Sequence, residues 1–119
     1  MAGWHDADTL ITEIHDLLYR LGLKATIQGY FETSGAVYLV MERGGDPDFS
    51  IANVYQEISK LYCVDLDLID LRIRAVIKKI WKRNPELMNY LAGENLRKAP
   101  TPRQFILMLC HYLFLRQRP

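Results

Sequence analysis

The chain has 119 residues, half of them of hydrophobic type, which is enough to bury a core without disulfide or metal staples and fits one domain. No stretch approaches the roughly 18–20 uninterrupted apolar residues of a membrane span, and the start lacks a basic region followed by an apolar run, so the expectation is a cytoplasmic protein with no membrane partner. The formal net charge of +1 conceals a segregation: residues 1–71 carry four Lys or Arg against twelve Asp or Glu, a net of −8, whereas residues 72–119 carry eleven against Glu86 and Glu94, a net of +9.

Such an asymmetry provides either a basic face for nucleic acid or two halves that attract one another, and charge alone leaves both open. In chain order, Asp8 and Thr9 can cap a first helix with Leu10, Ile14, Leu17, Leu18 and Leu21 on one side, which Gly22 ends. The stretch from Lys24 to Arg43 is rich in Thr, Val, Tyr and Ile and holds two glycines, so propensity admits strands as readily as a helix. Gly44-Gly45-Asp46-Pro47-Asp48 is a turn. Ser50 then caps a helix with Ile51, Val54, Ile58 and Leu61 on one face. After a short link, Asp65 caps a longer helix whose inner stripe is Leu66, Ile69, Ile73, Val76, Ile77 and Ile80, with acids in its first turn and Lys82 and Arg83 in its last, as the helix dipole favours. Pro85 starts a short helix that Gly93 ends. Thr101 with Pro102 opens the final one, with Phe105, Ile106, Leu109, Cys110 and Leu113 facing inward. Cys63 and Cys110 read as small buried hydrophobes, and Trp81, Tyr90, Phe105 and Phe114 as core aromatics. The whole reads as one all-α domain spanning 1–119.

Two helices joined around Tyr62-Cys63-Val64-Asp65 outline a helix-turn-helix, in which the second helix, about 66–82, can lie in a major groove. The bare pattern is common in helical proteins. More specific is an ordered set of residues: Leu21-Gly22 followed by Ala25, Ile27, Gly29 and Tyr30; Val54-Tyr55 leading to Ile58 and Lys60; Arg74 and Ala75-Val76-Ile77 running to Trp81; and Pro100-Thr101 with Phe105-Ile106. Together they resemble the C-terminal effector domain of the sporulation initiation response regulators, transcription factors of endospore-forming bacteria. The resemblance spans nearly the whole chain. It implies about six helices, a mainly helical Lys24 to Arg43, binding to double-stranded promoter DNA as adjacent copies, and contacts to RNA polymerase. It matches the family's acidic contact residue with Asp70 and its next arginine with Arg74.

The departures are equally specific. Where the family's recognition helix carries arginines that reach base edges, this chain has Leu68 and Leu71, which offer only apolar contact of the kind a thymine methyl accepts. The family's lysine before the Pro-Thr turn is Ala99 here, with Arg97 and Lys98 beside it. No receiver domain accompanies these residues, which suits an excised effector domain or a stand-alone relative. The expected DNA-contacting set is Arg72, Arg74, Lys78, Lys79, Lys98 and Asp70, with Arg97 and Arg103 as further backbone clamps. The alternative is a relative impaired in DNA binding that acts as a protein-interaction module through Leu68 and Leu71. His5, His15, His111 and the two cysteines show no ligand spacing, and there is no phosphate loop and no nucleophile beside a base. Neither metal, cofactor nor enzymatic activity is therefore expected.

Overall fold

The structure, a computed structural model, describes residues 7–116. Among them are six helices and no strand: α1 (Ala7–Arg20), α2 (Tyr30–Glu42), α3 (Ile51–Tyr62), α4 (Leu66–Arg83), α5 (Pro85–Ala92) and α6 (Pro102–Arg116). The all-α expectation with about six helices agrees with this architecture.

The segment that propensity left open is resolved by its position. α2 packs against α1, α3, α4 and α6, and residues from Thr33 to Val37, together with Leu39, Val40 and Met41, are all buried. A helix apolar on all sides is a core helix. At such a site every N–H and C=O must be paired, which a helix achieves internally, and this outweighs a per-residue preference of a few tenths of a kcal/mol for strand. Small residues at Ser34-Gly35-Ala36 let neighbours approach: a Cβ on Gly35 would lie 3.1 Å from the Tyr62 ring.

Helix ends follow local chemistry. Gly22, with φ +88, ends α1 while Leu23 donates to the Leu18 carbonyl. Asp8 and Thr9 stand inside the first turn of α1 rather than ahead of it. Ser50 accepts from the Asn53 N–H, and Asn84 accepts from the Leu87 N–H ahead of Pro85. Thr101 and Gln104 form a reciprocal capping box at the head of α6, each side chain accepting from the other's backbone N–H. Asp65 has the extended backbone of a cap, but its side chain makes no cap hydrogen bond.

Four expectations of burial are corrected. Leu61 is 66% exposed and Leu66 is 45% exposed: they lie at the last turn of α3 and the first of α4, beside the exposed Tyr62 and Cys63, and Leu61 borders an open pocket against α1 and α2. Tyr90 is 72% exposed on the outer side of α5. Cys63 is exposed rather than buried: it occupies the left-handed region, with φ 54, at the end of α3, and the turn directs its side chain outward. Cys110 is buried as expected, and burial pushes its thiol up to about 12.

Candidate nucleic-acid interface

The helix-turn-helix consists of α3, the turn Cys63-Val64-Asp65, and α4. Cys63 and Val64 both donate to the Ser59 carbonyl, which closes the end of α3 and turns the chain within three residues. Val54 and Ile58 of α3 and Ile69, Ile73, Val76, Ile77 and Ile80 of α4 are buried, so both helices are seated in the same core. What remains of α4 is an outward edge at helical spacing: Asp67, Leu68, Leu71, Arg74, Ala75, Lys78 and Lys82 are exposed.

This edge has two characters. Its N-terminal half presents Asp67, Leu68 and Leu71, the last 61% exposed. Its C-terminal half presents Arg74, Lys78 and Lys82, with Arg83 beyond.

Three of the expected residues, Asp70, Arg74 and Lys78, share the outward side or its margin. Asp70 takes part in a short chain of hydrogen bonds: the Tyr55 hydroxyl of α3 donates to Oδ1 at 2.9 Å, and the Arg74 Nε donates to Oδ2 at 2.7 Å. The hydrogen bond to Asp70 raises the Arg74 pKa further, and burial first, then the Asp70 bond, raises that of the Tyr55 phenol. Arg72 is placed differently. Its Nη1 lies 2.7 Å from the Glu32 carboxylate of α2, with side-chain exposures of 26% and 7% respectively, so it serves a buried acid rather than solvent. Lys79 is half-buried on the flank, and Lys98 is exposed in the loop between α5 and α6. Arg103 is taken by the fold: it donates to the Phe49 and Pro47 carbonyls and stacks over the Phe49 ring.

The segregated charge is partly paired within the fold and partly left on the surface. Arg72–Glu32, Arg74–Asp70 and Arg116–Glu13 tie the basic second half to the acidic first. Among the described residues Lys78, Lys79, Lys82, Arg83, Arg97 and Lys98 enter no ion pair, which leaves a local excess of positive charge between residues 78 and 98, where the acids are Glu86 and Glu94.

A family model described as sporulation initiation factor Spo0A C terminal matches residues 14–113. The chain belongs to this family. The Spo0A C-terminal family is one of DNA-binding effector domains of sporulation regulators, not one of enzymes, and its helical fold agrees with the six helices seen here. The match runs from the middle of α1 to near the end of α6, and so includes the whole helix-turn-helix.

Elsewhere, α1, α2 and the end of α3 line an open, largely apolar surface pocket of about 500 Å³, whose lining includes His15, Phe31, Leu61 and Tyr62. The His15 ring packs edge-on against Tyr30 with centroids 5.2 Å apart. Among the described residues no three of His, Cys, Asp or Glu are grouped so as to hold a metal ion, and no helix is long and apolar enough to cross a membrane. His5 lies outside the described residues.

The roles of Glu32 and Tyr55 were not evident in the sequence. An acid in the apolar stretch 30–41 was a signal that a cation must meet it. Nothing local said that the cation would be Arg72 rather than Arg74, forty residues along the chain.

Proposed function

We propose that this Spo0A-type domain regulates transcription by docking α4 in the major groove of promoter DNA. In this reading Arg74 and Lys78 face the groove, while Lys79, Lys82 and Lys98 meet flanking phosphates. Arg72 stays with Glu32. The observation that carries the reading is the basic half of the outward edge of α4, in which Lys78, Lys82 and Arg83 enter no ion pair among the described residues, seated as the second helix of a helix-turn-helix. Lysines at such an edge act mainly on phosphates and supply affinity without base reading, whereas Arg74 keeps the planar fork that recognises guanine. Copies on adjacent sites and RNA polymerase are the further partners of this reading.

Fluorescence anisotropy of the chain with a family-type promoter box and with random duplex, across a salt series, tests it. The expected result is affinity that falls steeply with salt and favours the box. Absence of binding to both duplexes near ~50 mM salt overturns the proposal.

A second reading draws on one observation: Leu68 and Leu71 are 40% and 61% exposed where the family's arginines stand. An apolar spot there suits a protein partner, such as a regulator or polymerase, better than a phosphate. The Leu71→Arg substitution separates the two. It adds a base-reading group to an exposed position and is expected to raise affinity for the box about tenfold or more, the order of one good base contact. On the protein-interaction reading it instead weakens capture of that partner.

A further inference from the structure

We propose that Tyr55, on the first helix of the helix-turn-helix, is a positioning residue for DNA reading: its hydroxyl holds the Asp70 carboxylate, which in turn holds the Arg74 guanidinium. The inference rests on the docking reading above and adds to it a residue that does not itself face the groove.

An exposed pair four residues apart on a helix is weakly ordered, since two flexible side chains lose freedom for an interaction that water competes with. Asp70 and Arg74 would be such a pair, with side chains 36% and 58% exposed. Tyr55 changes this. Its ring is half-buried against the core, its hydroxyl donates to Oδ1 at 2.9 Å, and Oδ2 is left to accept from Arg74 Nε at 2.7 Å. A rigid aromatic stem on α3 thereby fixes the rotamer of an acid on α4, and a charge-assisted hydrogen bond fixes the arginine. Engaging Nε leaves both Nη groups of Arg74 without a partner among the described residues. Those two groups are a pair of parallel donors of the kind that bind guanine O6 and N7 together.

The arrangement also assigns Asp70. With one oxygen toward Tyr55 and the other toward Arg74, its work is orientation, and its charge is offset by the arginine it holds. Affinity then depends on the lysines and base preference on Arg74. Loss of the Tyr55 hydroxyl is felt in preference and not in affinity for random duplex.

The test compares the wild-type chain with Tyr55→Phe, Arg74→Ala and the double variant. Anisotropy is read against the promoter box and random duplex at fixed salt. In the free chain, NMR reads solvent exchange of the Arg74 Nε proton. The Tyr55→Phe variant keeps the ring, and its helical circular dichroism and unfolding midpoint are expected to stay close to wild type. Its Arg74 Nε proton exchanges several-fold faster, and its box affinity falls about three- to tenfold, the order of one ordinary net hydrogen bond, since the hydroxyl acts on DNA only through Asp70 and Arg74, with random-duplex affinity unchanged. The double variant binds no more weakly than Arg74→Ala alone, because both act through one group. The proposal is overturned if Tyr55→Phe binds the box as wild type does while Arg74→Ala binds it weakly. It is also overturned if the two losses multiply, or if the Nε proton exchanges equally in both proteins. If Arg74→Ala leaves box affinity unchanged, the docking reading itself fails, and this inference with it.

Discussion

At Gly29 two independent constraints exclude a side chain. Its φ of +91 lies in the left-handed region, and a Cβ there would sit 2.7 Å from the Arg72 carbonyl oxygen and 2.9 Å from Val76 Cγ2. The glycine thus sets how closely the head of α2 approaches α4. Gly29→Ala is expected to cost about 2–4 kcal/mol in urea unfolding, the sum of backbone strain and overpacking. Cys110 carries a pH dependence. The unfolded thiol releases its proton from about pH 9, whereas the buried one retains it to about 12. Below pH 9 both states hold the proton and stability is full; above it the unfolded chain is favoured. Between pH 9 and 10 this thiol alone should lower the unfolding free energy by about 1 kcal/mol, and Cys110→Ala should remove about that much of the fall, leaving the part due to the tyrosines whose pKa burial and hydrogen bonding raise.

Along α4 the side chains divide the work of a helix between the core and the surface. Arg72 and Arg74 are two residues apart, so they leave the helix on nearly opposite sides. One meets a buried glutamate on α2, and the other an aspartate on its own exposed margin. Arg72→Ala strands the Glu32 carboxylate and is expected to cost about 2 kcal/mol of stability, somewhat below the usual loss for a fully buried pair because Arg72 is partly exposed. Arg74→Ala should cost about 0.5 kcal/mol or less, the usual worth of an exposed pair. Chemical denaturation of the two variants checks the contrast, and equal losses would contradict the division of roles. The ends of the element also differ. Leu68 and Leu71 occupy the half that recognition helices usually turn to bases, whereas the cations occupy the other. On the proposed docking, this arrangement favours phosphate attraction over base reading.

For the molecule as a whole, the separation of charge along the chain is only partly cancelled by folding. Three ion pairs join the halves, and six cations from Lys78 to Lys98 stay outside the ion pairs of the described residues. Counterion release makes this excess of positive charge measurable. Replacing Lys78 and Lys82 together by Glu should lower the slope of log affinity against log salt by about 2, roughly one for each phosphate that is no longer neutralised. The unfolding midpoint should stay near wild type, because both side chains are exposed. An unchanged slope would mean that this edge of α4 does not lie on DNA.

Much of this was legible in the residues themselves, because the signals are local. The helix stop at Gly22, the caps at Ser50 and Thr101, the start at Pro85, and the inner stripe of α4 from Ile69 to Ile80 each act within a turn or two, where spacing and hydrogen-bond chemistry suffice. The order of residues from Leu21 to Ile106 likewise pointed to the family that the match over 14–113 shows. Local propensity left the helical state of α2 open, and only the family resemblance implied it; two matters were settled by the path of the chain alone, the opposite fates of Arg72 and Arg74, and the exposure of Leu61, Cys63, Leu66 and Tyr90. Each depends on which distant element covers a surface or supplies a counter-charge. Burial from several neighbours decides the state of a segment whose propensity is indifferent, and an ion pair between residues forty apart exists only once α2 and α4 have been brought together.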